Sequence, residues 1–205
     1  MIDKTPIILV GGGGHCHSCI DVIESTNKYI INGIIDLKEN IGKKILGYSV
    51  IGDDKDLEKL TKDGCCFHIT IGQIKTTEKR IQINNILKQL NANQPVIISP
   101  LAYISQHSRI GSGTIVMHHA CINANVFIGE NCIINTKALV EHDTRIDNFC
   151  HISTSAVLNG SVIVKENVFI GSNSTIFNNI TIHPNSIIGA GTIIKKDVNC
   201  DEVIK

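Results

Sequence analysis

From Ile98 to Ile194 every sixth residue is Ile, Leu or Val, seventeen in succession without a break. Four residues after each stands a compact or β-branched residue, beginning Ala102, Ser108, Thr114 and ending Val198. Helices repeat every 3.6 residues and strands every two, so neither alone generates a period of six. One short strand and one corner per six residues does, and three such units close a triangular coil of eighteen. The position before each compact residue is Gly, Asn or Asp in ten of the seventeen repeats, among them Gly113, Asn125, Asp143 and Asp197. Those residue types tolerate the positive φ that a tight corner demands. The pattern predicts a repeat domain over residues 98–205.

Residues 1–97 have a different texture. A buried-type strand, Pro6 to Val10, runs into Gly11-Gly12-Gly13-Gly14-His15 and then a helix to about Thr26. A second strand ends at Asp36, and helices near 53–61 and 76–90 flank a third strand, Cys66 to Ile71. Alternating strands and helices predict a small parallel α/β domain. The core has to be aliphatic, since the chain holds 39 isoleucines and no tryptophan. Its 19 basic and 19 acidic residues cancel, which argues against nucleic acid or an anionic membrane as partner. No apolar run is long enough to span a bilayer and no secretory leader is evident, so a cytoplasmic protein with free thiols is expected. Cys16 and Cys19 have zinc-like spacing, but no second Cys or His pair follows at finger-like distance, so no metal is expected.

A strand, a glycine loop and a helix place bare backbone N–H groups and a positive helix end beside any bound anion, so a phosphate is the natural guest. Gly11 and Gly13 fit the first half of the dinucleotide fingerprint, but its third glycine falls on Cys16. Asp36, at the end of a parallel strand, can accept a hydrogen bond from a base or ribose. In the repeats, Val140-Glu141-His142-Asp143 sets a histidine at a corner between two carboxylates. A carboxylate bonded to one ring nitrogen leaves the other free to take a proton. Stacking by eighteen puts Ala124 and Gly160 on the same corner, residues small enough to leave room over the ring.

The repeats resemble those of hexapeptide-repeat acyltransferases, whose coils form a left-handed parallel β-helix. With a Rossmann-like half bearing Gly-x-x-Gly-His, the whole chain resembles the bacterial nucleotide-amino-sugar N-acetyltransferases and the related sialic-acid O-acetyltransferases. The resemblance implies a nucleotide-sugar-binding domain over residues 1–97 and an acetyl-CoA-binding catalytic domain over 98–205. It assigns the sugar nucleotide to Gly13, Gly14, His15, Asp36 and Gly72. It makes His142 the general base and Asp143 its orienting carboxylate, and it sets the coenzyme against His151, Gly160, Ser172 and Ala190. It further implies a homotrimer with sites between adjacent helices. The expected reaction is direct acetyl transfer from acetyl-CoA to the amine of a UDP-linked 4-amino-4,6-dideoxy sugar. O-acetylation of a sialic acid uses the same base. Metal-dependent hydration of the γ-carbonic-anhydrase kind would draw on His107 and His142, with Asp147 where a third histidine is expected, and a non-catalytic nucleotide-sugar-binding role is the remaining alternative. The family commonly continues into a Gly-x-Pro-Ala tail, where this chain has Asp201-Glu202-Val203-Ile204-Lys205.

Overall fold

The computed structural model describes residues 4–205. They fall into two compact units, one holding the chain up to Gly72 together with Glu78–Pro95, the other Gln73–Thr77 together with Val96–Lys205.

In the first unit, β1 (Thr5–Val10) is followed by α1 (Gly14–Thr26), β2 (Tyr29–Ile35), β3 (Lys44–Ile45), β4 (Tyr48–Gly52), α2 (Leu57–Lys62), β5 (Cys66–Ile69) and α3 (Glu78–Gln89). The sheet order is β3-β4-β2-β1-β5, with β1 lying between β2 and β5 and parallel to both. α1 buries Cys16, Cys19, Ile20 and Ile23, the i, i+3, i+4, i+7 stripe of one helical face, and ends at Asn27 in the left-handed conformation. The β3–β4 hairpin has no counterpart in the sequence expectation. Its corner is Leu46 (φ 46°) and Gly47 (φ 91°), a pair of positive φ values suited to a two-residue hairpin turn, and leucine hides that signal. β5 stops two residues short of the expected Ile71.

β5 is an edge strand, and its outward backbone is covered. Phe67 N–H donates to Asn93 O at 2.8 Å, and the buried Arg80 guanidinium donates to the carbonyls of Ile69 (3.1 Å) and Ile71 (2.5 Å). Capping these groups removes an open template for strand addition.

The second unit is a left-handed parallel β-helix. Two-residue strands stack into three faces of six, five and seven, in registers such as Leu139↔Val157, Arg145↔Ile163 and His151↔Phe169, each a step of eighteen. The aliphatic column from Val116 to Ile188 is fully buried, each residue contributing about 1.5–3 kcal/mol of hydrophobic stabilisation. Ile98, on the first coil with no coil beneath it, is 37% exposed. Fourteen successive corners, Gly113 through Gly191, have φ between 54° and 70°. Lys137 and Phe149 adopt it too, at about 1 kcal/mol each, because stacking over-determines the corner.

Five polar members of the compact column share one kind of partner. Thr114, Thr144 and Ser174 donate their hydroxyls, and Cys132 and Cys150 their thiols, to the backbone carbonyl fifteen residues on. Burial therefore leaves these groups hydrogen-bonded.

The expected corner at Asp197 is not formed. Val198 pairs with Ile182 and Val203 with Ile187, steps of sixteen, so the last turn is two residues short and Asp201 (φ 59°) takes the left-handed position. The shorter turn stacks the buried Val198 on Ile182, where a step of eighteen would place Cys200, and leaves Cys200 exposed. No helix among the described residues is long and apolar enough to cross a membrane.

Candidate active site

Beyond the C-terminal ends of β1, β2 and β5 lies a cavity of about 620 Å³, lined by Gly11, Gly12, Gly13, Asp36 and Gly72 among others. Crevices at this end of a parallel sheet are where α/β domains take ligands. Gly11 has φ 110°, and a side chain there would meet Ile71. A methyl group on Gly12 would lie 2.5 Å from Asp36 Oδ2 and 2.6 Å from Ile45 Cδ1, so the loop passes directly against the carboxylate. Gly13 and Gly14 instead face open space. Gly13 caps α1 without any side-chain hydrogen bond and the first turn holds no acidic residue, which leaves the positive helix end available to an anion. Asp36 is held by the Leu37 N–H (2.8 Å) and by Asn40 Nδ2 (3.2 Å).

Of the residues expected to hold the nucleotide, Gly13, Asp36 and Gly72 share this cavity. Gly14 and His15 open α1, and His15 Cβ lies 3.4 Å from where a Gly72 side chain would begin. Gly12, which sequence reasoning passed over, is the glycine that Asp36 requires. Cys16 and Cys19 lie on the buried face of α1, where burial pushes the Cys16 thiol up to about 11 and the Cys19 thiol higher still.

In the second unit, His142 and Asp143 form the corner after strand Leu139–Val140. Their side chains are 60% and 49% exposed, so the ring stands outside the packed interior. Asp143 Oδ2 is 2.8 Å from His142 Nδ1. Its other oxygen accepts from Asn125 Nδ2 at 2.7 Å, one coil back. These hydrogen bonds, from Asn125 first and His142 second, hold the Asp143 carboxyl below its usual range. With Nδ1–H donated to a carboxylate, Nε2 carries the free lone pair.

The space expected over the ring at Gly160 is filled by the ring itself: a methyl group on Gly160 would lie 2.7 Å from His142 Cε1 and 2.8 Å from Nε2. Gly160 is thus the platform on which the imidazole rests. Its N–H has no hydrogen-bond partner among the described residues. Ala124, on the other side, is exposed.

The remaining expected coenzyme residues scatter along later coils. His151 is 7% exposed. Its Nδ1 is 2.7 Å from Gln73 O and its Nε2 is 3.1 Å from Asn135 Nδ2. It donates to the carbonyl and accepts from the amide, which leaves the ring only an edge for any ligand. Ser172 Oγ lies 3.0 Å from Ser153 Oγ, and Ala190 is exposed. Asp147, the carboxylate a metal centre would need, pairs with Arg145 (3.2 Å) and Lys165 (3.4 Å).

Residues 6–83 match the model of the PglD N-terminal domain family. No curated protein matches the sequence. Among solved structures, a mutant of perosamine N-acetyltransferase from Caulobacter crescentus, in complex with CoA and GDP-perosamine, superposes with TM-score 0.90 at 28% identity, covering 99% of this chain and 93% of that one. The acetyltransferase domain of PglB from Neisseria gonorrhoeae, in complex with acetyl coenzyme A, gives 0.87 at 28% identity over 96% and 93%. WeeI from Acinetobacter baumannii shares the fold, with TM-score 0.87 at 20% identity over 98% and 96%. Residues 6–83 thus carry a PglD N-terminal domain, and over nearly its whole length the chain is similar to CoA-dependent acetyltransferases built on a left-handed β-helix of hexapeptide repeats.

Proposed function

We propose that the chain transfers the acetyl group of acetyl-CoA to the amine of a 4-amino-4,6-dideoxy sugar linked to UDP. The observation that carries this is the ordered His142–Asp143 dyad, with Nε2 free on an exposed corner. The ligands named for the similar structures, CoA with GDP-perosamine in one and acetyl coenzyme A in another, support acetyl transfer from CoA to a nucleotide-linked amino sugar. GDP as the nucleotide is the second reading, favoured by that same perosamine complex. The diphosphate is read at the bare N-terminus of α1 over Gly13 and Gly14, with Asp36 toward the ribose or base and Gly72 and His15 closing the wall.

In the mechanism, His142 Nε2 accepts a proton from the attacking amine as the new N–C bond forms at the thioester carbonyl, and Asp143 stabilises the imidazolium. The Gly160 N–H, which has no partner in the coil, is assigned to the developing oxyanion. Collapse breaks the C–S bond, and the imidazolium returns its proton to the thiolate, giving the amide and free CoA. Direct transfer needs no enzyme nucleophile. Gly160, Ser172, Ala190 and the exposed edge of His151 are assigned to the coenzyme.

A homotrimer is proposed as the active unit, supported by the outward column Tyr103, Cys121, Leu139, Val157, Thr175 and Ile193 beside the His142 corner, apolar but for Thr175, whose ends Tyr103 and Ile193 are 59% and 60% exposed. A cytoplasmic setting suits eight cysteines that form no disulfide. The test is thiol release from acetyl-CoA with UDP- and GDP-linked 4-amino sugars beside hydroxyl acceptors such as sialic acid. Release with amine acceptors alone supports N-acetylation, release with hydroxyl acceptors redirects it to O-acetylation, and nucleotide-sugar binding with no thiol release removes the enzymatic reading.

A further inference from the structure

We propose that Asn125 is a positioning residue for the base, acting through Asp143. This rests on the reading of His142 as the base. Asn125 and Asp143 occupy the same corner of successive coils, eighteen residues apart, and both are left-handed, at φ 59° and 62°. That shared conformation aims both side chains along the stack. Asn125 Nδ2 reaches Asp143 Oδ1 at 2.7 Å while Oδ2 holds His142 Nδ1 at 2.8 Å. A carboxylate can only accept, so the amide nitrogen faces it.

The consequence is mechanical. Asp143 is half exposed, and without a second anchor its carboxylate is free to turn about χ2 and hydrate. Anchoring one oxygen fixes the plane in which the other meets the imidazole. Asn125 thereby fixes the ring's orientation and the tautomer with Nε2 unprotonated. It touches neither the ring nor any reacting atom, so its loss should act on turnover and leave substrate binding alone. Other groups facing Asp143 do not substitute: its own backbone N–H is spent on Ala124 O at 3.1 Å.

The experiment is a double-mutant cycle with Asn125→Gly, Asp143→Gly and the pair. Glycine accepts the positive φ at both corners, so the coil is kept while each side chain is removed. Asn125→Gly should lower kcat about tenfold, the scale of one lost hydrogen bond to the orienting carboxylate, with KM for both substrates unchanged. In the Asp143→Gly background the same change should alter kcat by less than about twofold, because the relay is already cut. Equal losses in both backgrounds, or an Asn125→Gly enzyme with wild-type kcat, overturn the proposal. His142→Ala run alongside separates the two ideas. If it is inactive while the cycle is additive, only Asn125 is misassigned; if it is active, the base itself is misassigned.

Discussion

The His142 imidazole rests on Gly160, one coil further on, so closely that a methyl group there would sit 2.7 Å from Cε1. Because the ring is 60% exposed, it can swing outward to relieve the clash without opening the coil. Gly160→Ala should therefore lower kcat by at least about tenfold, the scale of a misplaced general base. The thermal midpoint should move by only a few degrees. A melting scan and a turnover assay on the same preparation check both halves. Loss of fold with the activity would show Gly160 to be a packing residue instead.

Gly12 stands in the same relation to Asp36. A Gly12→Ala methyl 2.5 Å from Oδ2 forces the carboxylate off its bonds to Leu37 N–H and Asn40. Calorimetric titration with UDP and GDP should show affinity weakened by about tenfold or more, the cost of losing a charged hydrogen bond. Turnover at saturating nucleotide sugar should be little changed.

The repeat core should respond as close-packed material. Ile146 is fully buried between coils, and Ile146→Ala should cost about 2–5 kcal/mol of unfolding free energy by denaturant titration. A cost under about 1 kcal/mol would mean that the coils repack freely.

The thiols give a solvent-accessibility test. Only Cys200 is exposed, and Cys121 is half-buried, its thiol raised by burial and then by Glu141. Since the thiolate is the reactive form, a disulfide reagent at mild pH should modify Cys200 quickly and Cys121 slowly. The other six, all buried, should react only on unfolding; fast modification of Cys132 or Cys150 would contradict their inward thiol-to-carbonyl bonds.

The β-helix was legible because the signal is redundant. Six-residue spacing fixes the strand, the inward column and the corner together, and register follows by adding eighteen. It failed at Asp197, where the last turn is two residues short and the left-handed corner moves to Asp201. In the first unit the glycine loop and Asp36 could be read, but a leucine in a left-handed turn concealed β3 and β4, and the edge-capping by Arg80 needs coordinates. At the dyad, the pairing of His142 with Asp143 was readable from adjacency. Asn125 was within reach by subtracting eighteen from Asp143, yet it registered only as a corner residue. That the ring folds down onto Gly160 depends on a side-chain torsion, which no spacing rule encodes.

The most direct test of the central claim is the steady-state turnover of His142→Ala with acetyl-CoA and a nucleotide-linked 4-amino sugar, followed by thiol release, with CoA and nucleotide affinities measured separately. A fall of at least about a hundredfold in kcat with both affinities preserved is the expected result, matching the contribution of a general base. Turnover within a few-fold of wild type would contradict it and move the proton-accepting role elsewhere.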